Sequence, residues 1–514
     1  MGWPRALSAA ALALSITGCA SLPSLEGRIE TSSIADTEGT RLGRAVAPGA
    51  AANPGKAGVY PLHAPADAFA ARVLLARAAE KSLDVQYYIW HGDQTGYLLF
   101  EALWHAAGRG VRVRILLDDV NTAGLDETLA ALDAHPNIEV RLYNPLVHRG
   151  FRMLNFLTDF TRVNRRMHNK SFTADNQATI VGGRNIGNEY FGAGSEAAFV
   201  DLDVIAVGPV VQEVSQAFDL YWNSPSAYPL AGLVGEAGQG AAERLEERFA
   251  VARADPEAVS YLQAVRDTPL LQQLLGGDLA LEWTEARLLR DDPAKTLDTA
   301  SRRELLLLDE LLRVAGQPEK SLDLVSPYLV PGEGGTAALG ELARRGVGVR
   351  ILTNSLAATD VAAVHAGYAK RRRRLLEAGV QLYELKPVAT SERTDEEKRK
   401  LGGSSSESLH AKTFALDRAR IFVGSFNFDQ RSAHLNTELG LLIESPALAG
   451  LLAAAFDTRI PAAAYEVRIA DEHGLEWVER TSAGEIRNDA EPGSGWLKRL
   501  WIQFLSILPI DWLL

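Results

Sequence analysis

The sequence of 514 residues has one cysteine, no basic excess and no long apolar run. A single cysteine excludes paired-cysteine metal sites, and neither an HExxH motif nor an acidic ligand cluster accompanies the motifs described below. No apolar stretch reaches the ~20 residues that a membrane-spanning helix needs. The net charge of −12 disfavours a nucleic-acid-binding protein, which usually has a basic surface stripe. It leaves an anionic substrate open, because a local cluster of cations can set the potential of a cleft.

What the chain does contain is typical of a globular protein. Hydrophobic residues make up 47% and charged residues 23% of the sequence, and the length is sufficient for two ordinary domains with connecting segments.

The single cysteine, Cys19, follows an apolar run and closes the tetrapeptide Ile16-Thr17-Gly18-Cys19. This pattern is typical of a lipoprotein signal peptide, here residues 1–18, with Cys19 acylated as the mature N-terminus. A plain secretory signal or a short uncleaved anchor is the alternative. Ala20 favours the outer membrane, and residues 19–59, rich in Ala, Gly, Pro and Ser, predict a flexible tether. We therefore expect a membrane-anchored lipoprotein on the periplasmic side of a bacterial envelope.

One polar sequence motif occurs twice in the chain, and its two histidines lie 242 residues apart. In both copies a lysine follows the histidine by two residues, an aspartate by seven and an asparagine by seventeen. The members are His168, Lys170, Asp175 and Asn185 in the first copy and His410, Lys412, Asp417 and Asn427 in the second. Identical internal spacing indicates a duplicated half-site, in which two histidines meet over one phosphate.

The duplication extends beyond these motifs. The apolar segments that begin at Ser82 and Arg109 are matched by segments that begin at Ser321 and Arg345, with a helical pattern between them in each copy. Strand, helix and strand in this order are typical of parallel βαβ units. We predict two α/β domains, 60–225 and 300–460, whose mixed, mostly parallel sheets are flanked by helices.

Three further segments flank or interrupt these domains. Residues 226–299 predict a helical connector without catalytic residues. The five cations Lys370 to Arg374 indicate either a solvated helix face or a contact with anionic headgroups. The C-terminal segment, 461–514, contains apolar residues at helical spacing with Lys498 and Arg499 beside them, which predicts an amphipathic helix at a bilayer interface or packed on the domains.

Strand geometry constrains the motif residues. Residues two apart on a strand share a face, so each histidine points the same way as its lysine. Asp175 and Asp417 stand in turn-like pairs, where the chain reverses and brings Asn185 and Asn427 towards the histidines. Seven extended residues span about 23 Å, so each aspartate is too far from its own histidine to orient it. We interpret Asp175 and Asp417 as structural residues.

Another carboxylate should therefore orient each imidazole. The candidates are Asp203 in the first half and Glu438 in the second, each on an apolar strand that follows the motif asparagine. Asp201 is the competing choice in the first half, and a surface role is the alternative for either residue.

The residue types indicate the chemistry. A histidine can attack phosphorus to give a covalent intermediate, and the opposite histidine can protonate the leaving alcohol and deprotonate the incoming one. Lysines and asparagines, with Ser425 beside Asn427, supply donors for the phosphoryl oxygens. None of these steps requires a metal or another cofactor.

The pattern HxK(x4)D(x6)G[GS]xN, present twice, resembles the signature of the phospholipase D superfamily, and the likeness covers about 60–460. The segments Arg165 to Lys170 and Gly182 to Phe191, with the ending Leu508 to Leu514, are similar to the bacterial cardiolipin synthase C type. The resemblance implies two phospholipase D-like domains related by a pseudo-twofold axis, with the active site between them. It also implies that His168 is the nucleophile and His410 the acid/base, with a carboxylate behind each histidine.

The leading hypothesis is accordingly a phosphatidyltransferase that makes cardiolipin from phosphatidylglycerol and a donor, phosphatidylethanolamine or a second phosphatidylglycerol. Its partners would be these phospholipids and a membrane surface, without nucleic acid. The alternatives are a hydrolytic phospholipase D with the same residues, a phosphodiesterase or nuclease, and a tethered scaffold with a dead site. An intact motif in both halves disfavours the scaffold.

Overall fold

The computed structural model describes residues 21–193, 198–268, 270, 273, 279–297, 306–359, 361–389, 406–470, 474–508 and 511–514. The predicted signal peptide and Cys19 lie outside the described residues. All statements below refer to the described part of the chain.

The first half of the chain builds a mixed sheet in the spatial order β8-β4-β3-β2-β5-β6-β7-β1-β9. The strands are β1 (Ala57–Leu62), β2 (Ser82–Tyr87), β3 (Arg112–Asp118), β4 (Ile138–Tyr143), β5 (Ser171–Ala174), β6 (Ala178–Gly182), β7 (Asp203–Val207), β8 (Ala227–Pro229) and β9 (Glu282–Thr284).

Eleven α-helices accompany this sheet in the described part of the first half. They are α1 (Arg41–Ala52), α2 (Pro65–Ala78), α3 (Gln94–Gly108), α4 (Asp126–Asp133), α5 (Met153–Thr158), α6 (Phe160–Val163), α7 (Asn188–Phe191), α8 (Pro209–Trp222), α9 (Ala231–Val234), α10 (Ala241–Ala254) and α11 (Pro256–Arg266).

The second half repeats the arrangement in a sheet of order β10-β20-β18-β17-β11-β13-β14-β21-β22-β23. Its strands are β10 (Ala286–Arg290), β11 (Ser321–Val325), β13 (Gly348–Asn354), β14 (Gln381–Leu385), β17 (Lys412–Leu416), β18 (Arg420–Gly424), β20 (Leu439–Ile443), β21 (Ala464–Ile469), β22 (Leu475–Thr481) and β23 (Gly484–Asn488). Two short pairs lie outside this sheet: β12 (Leu329–Val330) with β19 (Phe428–Asp429), and β15 (Val388–Ala389) with β16 (Ser406–Glu407).

The α-helices described in the second half are α12 (Leu307–Ala315), α13 (Gly332–Arg344), α14 (Ala362–Glu377), α15 (Gln430–His434), α16 (Pro446–Ala454), α17 (Ile460–Ala463) and α18 (Trp496–Ile507). Short 3₁₀-helices span Asp119–Asn121, Pro293–Thr296 and Asp511–Leu513, and a π-helical turn spans Ala455–Arg459.

The predicted α/β class with two similar mixed sheets is confirmed. Within the two large sheets, parallel pairing is confined to the βαβ portion of each half, β2-β3-β4 and β11-β13-β14, rather than extending through most of each sheet as predicted. The remaining pairs in both large sheets are antiparallel, because the motif strands are joined by tight hairpins rather than by crossover helices.

A shared apolar core joins the two sheets. Val181 and Val204 of the first half form one buried cluster with Val423 and Leu441 of the second half and with Leu288 of the intervening segment. Removal of this apolar surface from water fixes the halves against each other and holds the motif strands at their seam.

The segment 19–59 was predicted as a flexible tether, and this is wrong for its described part. Arg28 donates from Nη1 to the carbonyl oxygen of Ser224 at 2.6 Å, and Arg141 donates from Nη2 to the carbonyl oxygen of Ile29 at 2.7 Å. Residues 41–52 form a helix that Thr40 caps, and β1 pairs with β7. The composition predicted flexibility, but Arg112, Arg114 and Arg141 of the first domain donate to backbone carbonyls of the segment, and Arg28 of the segment donates to the domain.

The other two boundary predictions also need correction. The segment 226–299 is not only helical: β8 and β9 extend the first sheet, and β10 pairs with β20 in the second sheet. The C-terminal segment, 461–514, adds β21–β23 to the second sheet before the predicted amphipathic helix, α18. Both segments therefore belong to the domains, because their strands satisfy backbone groups at sheet edges that would otherwise be unpaired.

Candidate active site

The two motif histidines directly precede the hairpins that carry each copy of the motif. His168 and Lys170 lead into β5, while His410 lies just before β17, which begins at Lys412. All four side chains are buried. The type of turn that closes each hairpin is set by its two central residues, Asp175 and Asn176 in the first copy, both with φ of 51°. This left-handed conformation suits Asp and Asn, and Asp417 and Arg418 repeat it at 56° and 55°.

Asp175 and Asp417, which the sequence predicts to be structural, bind backbone N–H groups of a neighbouring segment. The Asp175 carboxylate accepts hydrogen bonds from the backbone N–H groups of Glu80, Lys81 and Ser82 at 2.7–3.2 Å. Asp417 accepts from Glu319, Lys320 and Ser321 at 2.6–3.2 Å. Each aspartate thereby ties its hairpin to the start of the neighbouring strand, β2 or β11.

Backbone hydrogen bonds cross between the halves beside each histidine. His168 N donates to Thr437 O at 2.9 Å, and Thr437 N donates to Arg166 O at 2.9 Å. On the other side, His410 N donates to Val200 O at 2.8 Å, and Val200 N donates to Ser408 O at 3.0 Å. Each histidine segment is thus bridged to the segment that leads into β20 or β7 of the opposite half.

This crossing decides which carboxylate meets which imidazole. Nδ1 of His168 lies 2.8 Å from Oε2 and 3.0 Å from Oε1 of Glu438. Nδ1 of His410 lies 2.6 Å from Oδ2 of Asp201. Both carboxylates are buried, and each comes from the half that does not supply its histidine.

Asp203 does not contact either histidine, and its predicted place behind one of them is wrong. Its Oδ2 accepts from Arg72 Nη2 at 2.9 Å and lies 3.4 Å from Arg184 Nη1, while Oδ1 accepts from Arg184 N at 3.1 Å. Asp203 is the first residue of β7 and faces these arginines within its own domain. Asp201 stands before the strand, where Val200 bridges to Leu409, and so reaches across the seam.

Strand register contains the signal that would have found Asp201. Gly182 pairs with Asp203, and its counterpart Gly424 pairs with Gly440. Two residues before these partners stand Asp201 and Glu438. When β7 and β20 are aligned by this register, Asp201 is the equivalent of Glu438. Comparison of single carboxylates in the sequence does not show this.

The electrostatics differ between the two pairs. Burial raises the pKa of Glu438 to about 7, although Lys170 and the hydroxyls of Ser425 and Ser432 lower it. For Asp201, burial is outweighed by His410 and Lys412, which hold its pKa well below the usual range. Asp201 therefore stays ionised at neutral pH.

The histidines themselves are also shifted. Burial, together with the charges of Lys170, Lys412 and His410, lowers the pKa of His168 well below its ordinary value. Burial and Lys412 lower the pKa of His410 as well, but Asp201 opposes this shift. These mutual effects place the two histidines and two lysines in one charged cluster. A neutral His168 follows from this arrangement, and Asp201 stabilises the imidazolium form of His410 against the burial and the lysine charge that oppose it.

The lysine ammonium groups lie beside their histidines. Lys170 Nζ donates to His168 O at 2.5 Å and lies 5.4 Å from the centre of the Tyr88 ring. Lys412 Nζ donates to His410 O in the same way. Aromatic rings contact both imidazoles: Tyr88 meets His168 at a centroid distance of 4.9 Å, and Phe199 stacks on His410 at 5.4 Å.

The predicted phosphate-binding residues are placed differently in the two halves. Asn185 is fully engaged, since its Oδ1 accepts from Ile89 N at 3.1 Å and its Nδ2 donates to Tyr190 Oη at 3.1 Å. Asn427 Oδ1 is buried and has no hydrogen-bond partner among the described residues. The hydroxyl of Ser425 donates to Glu438 Oε2. Ser425 thus acts on the carboxylate behind His168.

Sequence reasoning missed the residues that hold Glu438. Ser432 Oγ donates to Glu438 Oε1 at 2.8 Å, and Glu438 N donates to Asp291 Oδ2 at 2.8 Å. Lys295 lies 3.0 Å from Asp291 and donates to Ser432 O at 2.9 Å. Asp291 and Lys295 belong to the segment 226–299, to which no catalytic residue was assigned. Their i,i+4 opposite charges were the only available signal.

One group among the described residues has the composition of a metal site. Candidate ligand atoms of His91, Asp93 and Glu189 lie within 4.8 Å of one another. The Asp93 carboxylate is engaged structurally, since it caps α3 at Gly96 N and accepts from Asn188 N at 2.7 Å. The chemistry of the motif histidines does not draw on this group.

Comparison with known proteins agrees with the duplicated geometry. The family described as "Cardiolipin synthase, PLD-like domain" matches residues 74–222 and 311–460. The chain is 49% identical over 474 residues to cardiolipin synthase C of Escherichia coli K12, with 92% of this chain and 100% of that protein covered. This chain belongs to the cardiolipin synthase family of phospholipase D-like proteins. The two matched regions fall on the two mixed sheets.

More distant relatives share most of this length. The chain is 27% identical over 379 residues to cardiolipin synthase A of Pseudomonas syringae, with 73% of this chain and 63% of that protein covered. The crystal structure of phosphatidylserine synthase from Haemophilus influenzae superposes with a TM-score of 0.52 at 16% identity. It covers 83% of this chain and 91% of that one, so the likeness concerns the fold of both halves.

None of the helices in the described residues is long and apolar enough to cross a membrane.

Proposed function

We propose that this protein is a phosphatidyltransferase that makes cardiolipin from phosphatidylglycerol and a donor phospholipid, phosphatidylethanolamine or a second phosphatidylglycerol. The observation that carries the proposal is the pair of buried histidines, each backed by a carboxylate from the opposite half, in a chain of the cardiolipin synthase family. A phosphodiester can be attacked and protonated at once only if both imidazoles serve one site.

In the first step His168 is the nucleophile. With Glu438 ionised, Nδ1–H of His168 donates to the carboxylate and leaves the Nε2 lone pair free. Nε2 forms a bond to the donor phosphorus while the bond from phosphorus to the headgroup oxygen breaks. Protonated His410 gives its proton to that oxygen, and the headgroup leaves as a neutral alcohol.

In the second step the phosphatidyl group passes to the acceptor. A hydroxyl of phosphatidylglycerol gives its proton to neutral His410 and attacks phosphorus, and the bond from phosphorus to His168 Nε2 breaks. The product is cardiolipin, and both imidazoles return to their starting protonation. Lys170 and Lys412 stabilise the negative charge on the phosphoryl oxygens.

The assignment of the two roles is supported by the different carboxylates. A nucleophile must be neutral, and the pKa of His168 is lowered by burial and by three neighbouring cationic groups. An acid must hold a proton, and the ionised Asp201 favours the imidazolium form of His410. The buried Oδ1 of Asn427, which has no described partner, is an acceptor for a hydroxyl group of the substrate.

We further propose that the chain works at a membrane as a lipoprotein acylated at Cys19 and held on the periplasmic side of the envelope. The support is the tetrapeptide ending in the single cysteine, together with Ala20 after it. Hydrolysis of the donor to phosphatidic acid by the same residues is the second candidate, because water can replace the acceptor hydroxyl in the second step.

The decisive experiment is mass-spectrometric product analysis in mixed vesicles of phosphatidylglycerol and phosphatidylethanolamine. We expect cardiolipin and a released headgroup, glycerol or ethanolamine, which identifies the donor. The His168→Ala variant should form neither. Phosphatidic acid without cardiolipin would make the protein a hydrolase, and no lipid turnover by the intact protein would refute both candidates.

A further inference from the structure

Two clusters of large apolar side chains are exposed on this protein. The first, here the α18 patch, consists of Trp496, Leu497, Leu500, Trp501, Phe504 and Ile507, which are 52–81% exposed. The second, the α5–α6 patch, consists of Phe151, Met153, Leu157 and Phe160, which are 40–83% exposed. Clusters of this size on a water-soluble surface mark a contact with another apolar surface.

The α18 patch is not the packing face of its helix. Ile502 is 3% exposed and packs against Leu356 and Ala366, with Leu505 beside them. The helix thus uses one side to bind α14 and directs its tryptophans away from the domain. Lys498 and Arg499 on the same helix donate to the backbone carbonyls of Leu356 and Ser494 at 2.7 and 2.8 Å. Trp and Leu with adjacent cations are the composition of a helix that lies in a bilayer interface.

The cations Lys370 to Arg374 do not provide this surface. Lys370 and Arg371 bind Asp511, and Arg372 binds Glu491 at 2.6 Å. Arg371 and Arg374 also bind Glu333. This run therefore fastens the C-terminal segment to the second domain and presents α18 in a fixed position.

Arg431 connects the two chain segments that carry the patches. Arg431 donates from its backbone N to Leu514 O at 2.8 Å and from Nε to Leu513 O at 3.2 Å, just beyond α18. From Nη1 it donates to Asn164 O at 2.8 Å, at the end of α6. The end of the chain beyond α18 and the end of α6 are thus held by the same residue.

The same arginine lies near the candidate active site. Its Nη1 also donates to Asn436 Oδ1 at 3.3 Å, next to Thr437, whose carbonyl oxygen accepts from His168 N. His168 follows the last residue of α6 by five positions, at most about 17 Å of extended chain. The segments that carry the two patches therefore meet on the His168 side of the site.

We propose that the α18 patch and the α5–α6 patch form one docking face, which inserts into the interface of an anionic phospholipid bilayer and brings His168 to the level of the headgroup phosphates. The choice of a bilayer rather than a protein partner rests on the proposed function, because both substrates keep their acyl chains in the membrane. The aromatic and cationic composition of α18 supports it independently of activity.

The test measures binding to vesicles of phosphatidylglycerol and phosphatidylethanolamine by flotation. The full chain carries Cys19→Ala, so that no acyl chain attached there dominates binding. Trp501→Ser/Phe504→Ser alters one patch and Phe151→Ser/Leu157→Ser the other. The matched control, Val251→Ser/Ile486→Ser, removes two apolar side chains that are 73% and 50% exposed on other elements.

Each patch variant should weaken vesicle binding at least about tenfold, the combined variant more than either, and the control by less than twofold. Vesicles without phosphatidylglycerol should bind the unaltered patches more weakly, because the charges of Lys498 and Arg499 then lose the attraction of anionic headgroups. Thermal melting of each variant checks that the fold is retained.

Binding within twofold of the parent for both patch variants would overturn the proposal. A change in oligomeric state without loss of vesicle binding would assign the patches to a second copy of the chain instead. Failure of the proposed function is distinguishable, because it would abolish cardiolipin formation by the parent protein while leaving vesicle binding and its dependence on the patches intact.

Discussion

The two half-sites share a motif but differ in what lies behind the histidine. Glu438, behind His168, accepts from the hydroxyls of Ser425 and Ser432 and has a pKa of about 7. Asp201, behind His410, accepts from its own neighbour, Leu202 N, and stays ionised. Gly183 occupies the position of Ser425, where a Cβ would lie 2.2 Å from Asp201 Oδ1. The duplicated motif gives both histidines the same neighbours in sequence. The carboxylates and the residues around them give the two histidines different electrostatic environments.

The largest expected effects come from the histidines. His168→Ala and His410→Ala should each lower turnover by about 10⁴-fold or more, since they act as one unit. They should differ with a phosphatidyl donor whose leaving group is p-nitrophenol, which departs without a proton. His410→Ala should then accumulate phosphatidyl-enzyme, detected by intact mass, and His168→Ala should not. A phosphatidyl adduct on the His168→Ala protein instead would reverse the two roles.

The second comparison separates Asp201 from Asp203. Asp201→Asn should lower kcat by about 10²–10⁴-fold with little loss of stability, because His410 loses the charge that favours its protonated form. Asp203→Asn should instead lower the free energy of unfolding by about 3–5 kcal/mol, because Arg72 and Arg184 lose a buried partner. Steady-state kinetics and urea unfolding of both variants provide the measurement. An Asp203→Asn protein that is stable but inactive would restore the sequence-based prediction.

The third comparison exchanges the small residues next to the carboxylates. Gly183→Ala should reduce kcat by about 10–100-fold, since the new Cβ displaces Asp201 from His410. Ser425→Ala creates no clash and removes one hydroxyl donor to Glu438, so a loss of less than about tenfold is expected. Equal losses in the two variants would contradict the difference in packing that separates the half-sites.

The smallest effect is a shift in the pH profile. As the proposed nucleophile, His168 requires ionised Glu438, so kcat/KM should fall as the pH drops through about 7. The Ser432 hydroxyl stabilises the carboxylate, and Ser432→Ala should therefore raise the pKa of Glu438 and move the acidic limb to higher pH. Ser445→Ala, which alters a helix cap in α16, is the matched control. An acidic limb that stays in place would show that another group controls it.

Much of the fold was accessible from the sequence because its signals are local. The βαβ portion follows from buried apolar strands and helical spacing, and the hairpins follow from Asp175 and Asp417 in turn positions. The amphipathic α18 was read from its periodicity. The strands contributed by 226–299 and by 461–514 were missed, since a short edge strand such as β8 or β9 is defined by its partner rather than by its own pattern.

The sequence by itself determined the duplicated motif and the family, and it predicted a common face for each His–Lys pair and a structural role for the two motif aspartates. Only the tertiary structure decided that the carboxylates are exchanged between the halves. The reason is physical: Val200 and Thr437 bridge to the opposite half, and the direction of a side chain after a strand boundary depends on that partner. A carboxylate 270 residues away from its histidine leaves no local trace in the sequence.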